Sequence, residues 1–573
     1  MAHEPVCVGE LLGGKLMAGM NAPTRGRKLL LVVLPYIVDN SKNTDKKIKS
    51  VRSFLAFPYG VLTIASHIRK ASDGLHDAEI LDLNIASPMS EADRLRQALS
   101  RGDVDVVGFS MSYDISFGWL QRLSEMVRAE FPSLIQVAGG PAVTTGHRDM
   151  IEEGVSLDAF CFSEGEAGLL KLLDTPEMMS AFESDPWIRN TSEALTKPRP
   201  HAVTEDLDRV IDVDYELVDV PAYSMREAFS PFVKYASSSK QFFLVTSRGC
   251  PFKCNFCAEP SFHGASMRYA SVDLIIEHVR KLVDTYGLNV LTIYDDQLLL
   301  NRDRAKDLFR KLAQFNIRVE MPNGVTMSYI DEEMAYLMRR AGVDTIFLAI
   351  ESGSKRVLKE IIYKPIAFSR IKPTVEILQA NGIFTCAFFV IGLPGETDAE
   401  REETRQFILE TGFDWAFFNY ATPLRGSALF EQCKREGWLA PEHLRIGAID
   451  MTDYVIKAPG IDKTALKRFM FDMNLEANFV KNRNMREGNF ELAATTFKEV
   501  INRHEGQPFA HYFLAEAYTG MGPDHQRLAN AHYRRFLEIT EADHEWAEHA
   551  ERYGLDFSRA ISLPTLEGVN ASA

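Results

Sequence analysis

What the 573-residue sequence lacks restricts its function before any motif is read. It has no run of about 18 uninterrupted apolar residues, so no membrane-spanning helix and no membrane partner are expected. The first residues, MAHEPVCVGELLGGKLMAGM, lack the basic start and apolar core of a secretion signal, which makes the expected location cytoplasmic. Basic charge is in deficit, 64 Lys and Arg against 79 Asp and Glu, for a formal net charge of −15. Such a surface repels phosphate backbones, so nucleic acid is not an expected partner. The short cluster Lys42, Lys46, Lys47 and Lys49 reads as a solvated loop. Cysteine is sparse: seven in all, an odd number, with Cys250, Cys254 and Cys257 crowded together and Cys7, Cys161, Cys386 and Cys433 scattered. That distribution argues against a disulfide framework and for a metal site in a reducing compartment.

What is present is an ordinary globular mix, 46% hydrophobic and 25% charged, long enough for several domains. Residues 1–27 are Gly- and Ala-rich and read as a leader. In 28–185 short apolar runs (KLLLVVLPY, AEILDLN, VDVVGFSMS, LIQVAGGP, LDAFCFSEGE) alternate with helical patterns such as YGVLTIASHIRKA. This predicts an α/β, doubly wound (Rossmann-like) domain with a parallel sheet covered on both faces. Residues 186–235 read as a Pro-containing linker. In 236–440 six strand candidates, from QFFLVTS to DWAFFNYATP, are each followed by a helical pattern, which suits a partial (β/α)6 barrel of TIM type. Residues 441–573 are helical, and the arrangement around Pro508, Tyr512, Ala515, Tyr518 and Gly522 resembles a tetratricopeptide helix pair. It is expected to pack on the barrel as a substrate cap.

The densest chemistry is TSRGCPFKCNFCAEPSFHG, a Cys-x3-Cys-x2-Cys loop directly after the first barrel strand. Thiolates suit iron–sulfur clusters and zinc. Three on one loop can hold three irons of a [4Fe–4S] cubane and leave the fourth open to S-adenosylmethionine (SAM). Zinc is the alternative, with His263 as a fourth ligand. Phe256 is placed to flank an adenine. At the next strand end, Asp295 and Asp296 are the candidate catalytic acids, able to orient substrate or take a proton; capping the following helix is the competing role. Tyr294, Asn323, Trp415 and Tyr420 are weaker candidates. In the N-terminal domain the strand ends carry Ser110, Ser112, Gly139-Gly140-Pro141 and the SEGE run containing Glu164 and Gly165, where a crevice ligand approaches the backbone.

The cysteine loop, AIESGSKRVLK with Glu351, Ser352 and Gly353, FFVIGLPGET with Gly392, and ATPLRGSALF together resemble the radical SAM superfamily over about 190 residues. The VVGFSMS…VAGGPAVTT…FSEGE order and PYGVLTIASHIRK resemble the cobalamin-binding domain that precedes the barrel in one of its subgroups. The resemblance implies that Phe256, Glu351, Ser352, Gly353 and Gly392 border SAM. It implies that Pro35, Tyr59, Gly60, Arg69, Ser110, Ser112, Gly139, Gly140, Pro141, Glu164 and Gly165 border cobalamin. The D-x-H-x-x-G signature is absent, so no histidine ligand to cobalt is expected; Arg69 would lie near the lower cobalt face or be a plain helix-end arginine. The implied activity is a methyltransferase that moves a methyl group from SAM by way of cobalamin to an unactivated or aromatic carbon. The implied partners are a small-molecule substrate and an electron donor such as flavodoxin or ferredoxin. Within the family, the layout resembles members that methylate C2 of L-tryptophan in thiostrepton-type antibiotic biosynthesis. A porphyrin- or lipid-directed cyclase or methylase is the rival reading, and a non-catalytic scaffold or cofactor sensor is the alternative of another class.

Overall fold

The computed structural model describes residues 25–36, 55–198, 200, 202–225, 228–232 and 240–557. The expected leader up to residue 24, the Lys42–Lys49 loop and Cys7 lie outside them. Five parallel strands, β1 (Lys28–Val33), β2 (Asp77–Asp82), β3 (Val106–Ser110), β4 (Ile135–Gly139) and β5 (Ala159–Cys161), form the N-terminal sheet in the order β2-β1-β3-β4-β5. Their apolar runs are buried on both faces because helices cover both sides, giving two separate apolar clusters. A sixth strand, β6 (Trp187–Arg189), pairs antiparallel with β5. It comes from the stretch read as linker, whose three-residue apolar start is too short to register as a strand pattern.

The barrel strands are β7 (Gln241–Leu244), β10 (Val290–Ile293), β11 (Arg318–Glu320), β12 (Thr345–Glu351), β13 (Phe384–Ile391) and β14 (Trp415–Tyr420), parallel throughout. They form two three-stranded sheets, β11-β10-β7 and β12-β13-β14, joined by a single bridge from Val325 to Leu348. This is the six-unit partial barrel that the sequence predicts. Between β7 and β10 a two-residue ladder, β8 (Ser247–Arg248) with β9 (Arg268–Tyr269), pins together the two stems of the cysteine loop.

The N-terminal domain also reaches into the barrel core. Phe57, from the N-terminal domain, stacks on Phe242 of β7 and on Tyr223. No helix among the described residues is long and apolar enough to cross a membrane.

The C-terminal helices Phe490–Arg503, Pro508–Met521 and Gln526–Ala542 pack on Phe384 and Trp415, the first residues of β13 and β14. They therefore sit at the amino ends of those strands, away from the mouth, and the substrate-cap expectation is corrected for this helix pair. Amphipathic periodicity tells which face of a helix is buried but not which end of a barrel receives it. The part of the C-terminal region that does reach the mouth is the Tyr454–Leu466 stretch: the Tyr454 hydroxyl donates to Gly392 O at 2.7 Å.

Candidate functional site

A cavity of about 310 Å³ opens at the carboxyl ends of the N-terminal strands, where parallel α/β sheets bind ligands. Its sheet side is lined by Tyr59, Gly60, Gly108, Ser110, Ser112, Gly139, Gly140, Pro141, Glu164 and Gly165. Its opposite wall is supplied by the barrel: Val245, Arg248, Phe262 and His263. Gly140 has φ 107°, and a Cβ there would stand 2.7 Å from the Met111 carbonyl oxygen, so only glycine turns this strand into the helix Pro141–Glu153. At Gly60 a Cβ would meet nothing within 4 Å; the space beside it is open. Small residues, apolar strand walls and an empty flank fit a broad, flat ligand such as a corrin ring.

Of the sequence-expected crevice residues, Pro35 and Arg69 do not line the cavity. Arg69 is a correction. It lies in the last turn of the helix Tyr59–Ala71, at the far end from Tyr59, and its Nε donates to Asp77 at 2.9 Å at the amino end of β2. The helix runs antiparallel to its strand, so its last turn must end opposite the crevice. The arginine that does face the cavity is Arg248.

On the barrel side, three thiols are presented by one loop. Gly249 (φ 99°) brings the chain so close to Ser266 that a Cβ would lie 2.3 Å from its carbonyl oxygen. Cys250 N–H then donates to Gly264 O at 3.1 Å, Cys257 N–H to Cys254 O at 3.1 Å, and Asn255 N–H to Ile362 O at 3.0 Å. All six described cysteines are free. Burial pushes the Cys254 thiol up to about 11 and that of Cys257 to about 12, and raises Cys250 as well. Cys254 feels the charge of Cys250, and Cys257 that of both, so the three share one locality. Thiolates in so desolvated a place need adjacent positive metal charge. Among the described residues no three His, Cys, Asp or Glu side chains converge closely enough to hold a metal ion. His263, the fourth ligand of the zinc alternative, instead turns its Nδ1 to Glu164 Oε1 at 2.8 Å.

Asp295 is corrected as a catalytic acid. It is fully buried and accepts from Thr246 N–H at 2.5 Å, Thr246 Oγ1 at 2.6 Å and Ser247 Oγ at 2.6 Å. It anchors the lead into the cysteine loop and has no role in capping the next helix, which Asn301 caps. Asp296 remains at the site, beside the loop and close to Glu259, whose carboxyl burial pushes well up.

Glu351 has a left-handed φ of 72° and accepts from Lys364 Nζ at 2.8 Å. Neither residue of this pair is far from Cys254, and Lys364 carried no signal in the sequence. Ser352 faces Thr404 at 3.2 Å, and Gly353 N–H donates to Thr404 Oγ1 at 3.0 Å. Gly392 N–H donates to Glu396 at 2.7 Å, while a Cβ on Gly392 would stand 2.7 Å from Leu466. These three therefore shape the mouth through packing. Phe256 packs partly buried against the barrel core. Tyr294, just beyond β10, and Tyr113, just beyond β3, remain among the exposed large side chains, and Tyr36 lies 5.2 Å from Tyr113 ring to ring.

Two family descriptions match this architecture in order: a B12 binding domain over residues 46–173 and the radical SAM superfamily over 244–408. The cytidylyl-2-hydroxyethylphosphonate methyltransferase of Streptomyces wedmorensis is 28% identical over 452 residues, covering 71% of this chain and 83% of its own. Two solved structures share the fold. The radical SAM methyltransferase TsrM of Kitasatospora setae, with tryptophan and a SAM analogue, matches at TM-score 0.54 and 17% identity, covering 73% of this chain and 78% of its own. The cobalamin-dependent radical enzyme OxsB matches at TM-score 0.61 and 14% identity, covering 94% and 82%. A B12-binding domain ahead of a radical SAM barrel defines the cobalamin-dependent radical SAM enzymes. The chain is a methyltransferase of that class, with a [4Fe–4S] cluster, SAM and cobalamin as its cofactors.

Proposed function

We propose that the chain methylates a carbon of a small planar molecule, with L-tryptophan as the first substrate to test. Cys250, Cys254 and Cys257 hold the cluster in this reading, and Glu351 with Lys364 borders SAM. Tyr59, Gly60, Ser110, Ser112, Gly139, Gly140, Pro141, Glu164 and Gly165 seat cobalamin. The cofactors supply methyl transfer and, where it is needed, radical chemistry. The protein's share is to bring the two sites to one wall, exclude water and orient the acceptor.

The observation that carries the reading is the shared wall: Arg248 lines the corrin cavity and stands two residues before Cys250. The acceptor class is supported by the neighbouring tyrosines Tyr36, Tyr113 and Tyr294, the last two exposed, since exposed rings favour a flat aromatic partner. Asp296 is the remaining acid placed to take a proton from the acceptor. An external donor such as flavodoxin or ferredoxin would reduce the cluster, and the free thiols suit a reducing cytoplasm.

Anaerobically reconstituted protein, supplied with methyl-deuterated SAM, cobalamin, a reductant and L-tryptophan, should yield tryptophan carrying a CD3 group, read by mass spectrometry. A CD3 product from a porphyrin or lipid but not from tryptophan would replace the substrate. Loss of iron–sulfur absorption with full turnover in Cys250→Ala would remove the site assignment.

A further inference from the structure

We propose that Glu164 is a positioning residue that couples the corrin crevice to the cysteine loop, so that cobalamin and the cluster favour each other's binding. The inference rests on reading the cavity as the cobalamin site and the loop as the cluster site. Glu164 lies just beyond β5 on the crevice wall, and its carboxylate gathers both stems of the cysteine loop. Arg248 Nη1, from the entering stem, is 3.0 Å from Oε2. From the returning stem, Arg268 donates through Nη1 at 2.9 Å and Nη2 at 2.8 Å, and His263 Nδ1 lies 2.8 Å away. Thr204 N–H adds a fifth contact at 2.7 Å. Glu166 shares the load, accepting from the second arm of Arg248 at 2.8 Å. Arg268 Nη2 also donates to His263 O at 2.8 Å, which fixes the returning stem on itself.

Glu164, Arg248 and Arg268 are all buried, so water does not compete for these contacts. Paired charges in such a place hold their geometry, because separating them leaves uncompensated charge in a desolvated pocket. Glu164, Arg248 and His263 at the same time line the cavity. A ligand filling the cavity therefore touches the side chains that set the loop's position. Any preference it has for one loop arrangement is returned, by linkage, as a preference of that arrangement for the ligand.

The test measures the dissociation constant of hydroxocobalamin by anaerobic equilibrium dialysis, for wild-type protein before and after cluster reconstitution. The cluster-loaded form should bind about fivefold more tightly or better, the usual floor for coupled sites. In Glu164→Gln the ratio should fall to near one while iron and cobalamin are both still bound. Glu166→Gln, which leaves Arg268 and His263 in place, should keep most of it. Electron paramagnetic resonance of the reduced cluster should shift on adding cobalamin to wild type and not to Glu164→Gln. Equal affinities with and without the cluster in wild type would overturn the coupling, even if Glu164→Gln fails to fold. An unchanged ratio in a folded Glu164→Gln would overturn the role of Glu164. Failure of wild type to bind cobalamin or iron at all would instead remove the site reading beneath both.

Discussion

Two buried glutamates, one on the crevice wall and one at the barrel mouth, answer the same physical problem in opposite ways. At Glu164 burial works to raise the carboxyl, but His263, Arg268 and Arg248 outweigh it and hold the group well below the usual carboxylate range. At Glu396 burial wins. The Gly392 N–H and Arg401, 3.6 Å distant, are not enough, and the carboxyl is pushed up to about 7 with one oxygen lacking a partner. The crevice glutamate is thus neutralised by cations and the mouth glutamate by a proton. The first arrangement builds a rigid joint between domains; the second leaves a group whose charge follows pH.

The sharpest way to break this contrast is substitution of each glutamate by glutamine. Glu164→Gln leaves two buried guanidinium groups short of their counter-charge and should cost about 3–5 kcal/mol in denaturant unfolding at pH 8. Glu396→Gln should be neutral or stabilising under the same conditions; equal losses at the two positions would erase the distinction. Next comes pH. Glu164 sits below its unfolded value, so its contribution is present above the ordinary glutamate range of about 4.3 and fades as pH falls toward its lowered value. Glu396 sits above its unfolded value, so its contribution is full below about 4.3 and is lost as pH rises through about 7. Wild type should therefore lose at most about 3 kcal/mol between pH 5 and pH 8 from this group, and Glu396→Gln should flatten that slope. A smaller effect is expected at Asp295→Asn, about 1–3 kcal/mol for hydroxyls left short of an acceptor, together with less iron bound per chain. The smallest belongs to Arg69→Ala: its pair with Asp77 is half exposed, so unfolding should change by less than about 1 kcal/mol and cobalamin affinity not at all.

Much of the site could be read along the chain. The cysteine spacing is local, and the loop closes through its own backbone bonds, so three thiols in eight residues announced one site. Gly140 after an apolar strand was likewise legible, because the turn into the next helix needs the positive φ. Asp295 and Asp296 read alike in sequence, yet one is consumed by Thr246 and Ser247 and the other is left beside the loop. Neighbouring strand-end residues face opposite sides, and only the packed barrel says which side holds hydroxyls. Arg248 and Arg268 went unread because their partners lie 82 and 104 residues away. Arg69 was misplaced for a related reason. A helix pattern gives a residue's position in its helix, whereas its distance from the crevice depends on the direction in which that helix returns along the sheet.

The sequence by itself therefore determined the elements whose causes are short-ranged: alternating strands and helices, the glycine turns, the three-thiol loop and the absence of a long apolar span. The tertiary structure decided which charges meet. Burial and ion pairing are sums over everything that packs around a group, and for Glu164 those contributors come from three separate stretches of chain, around Thr204, Arg248 and His263 to Arg268. No pattern within any one stretch encodes that sum.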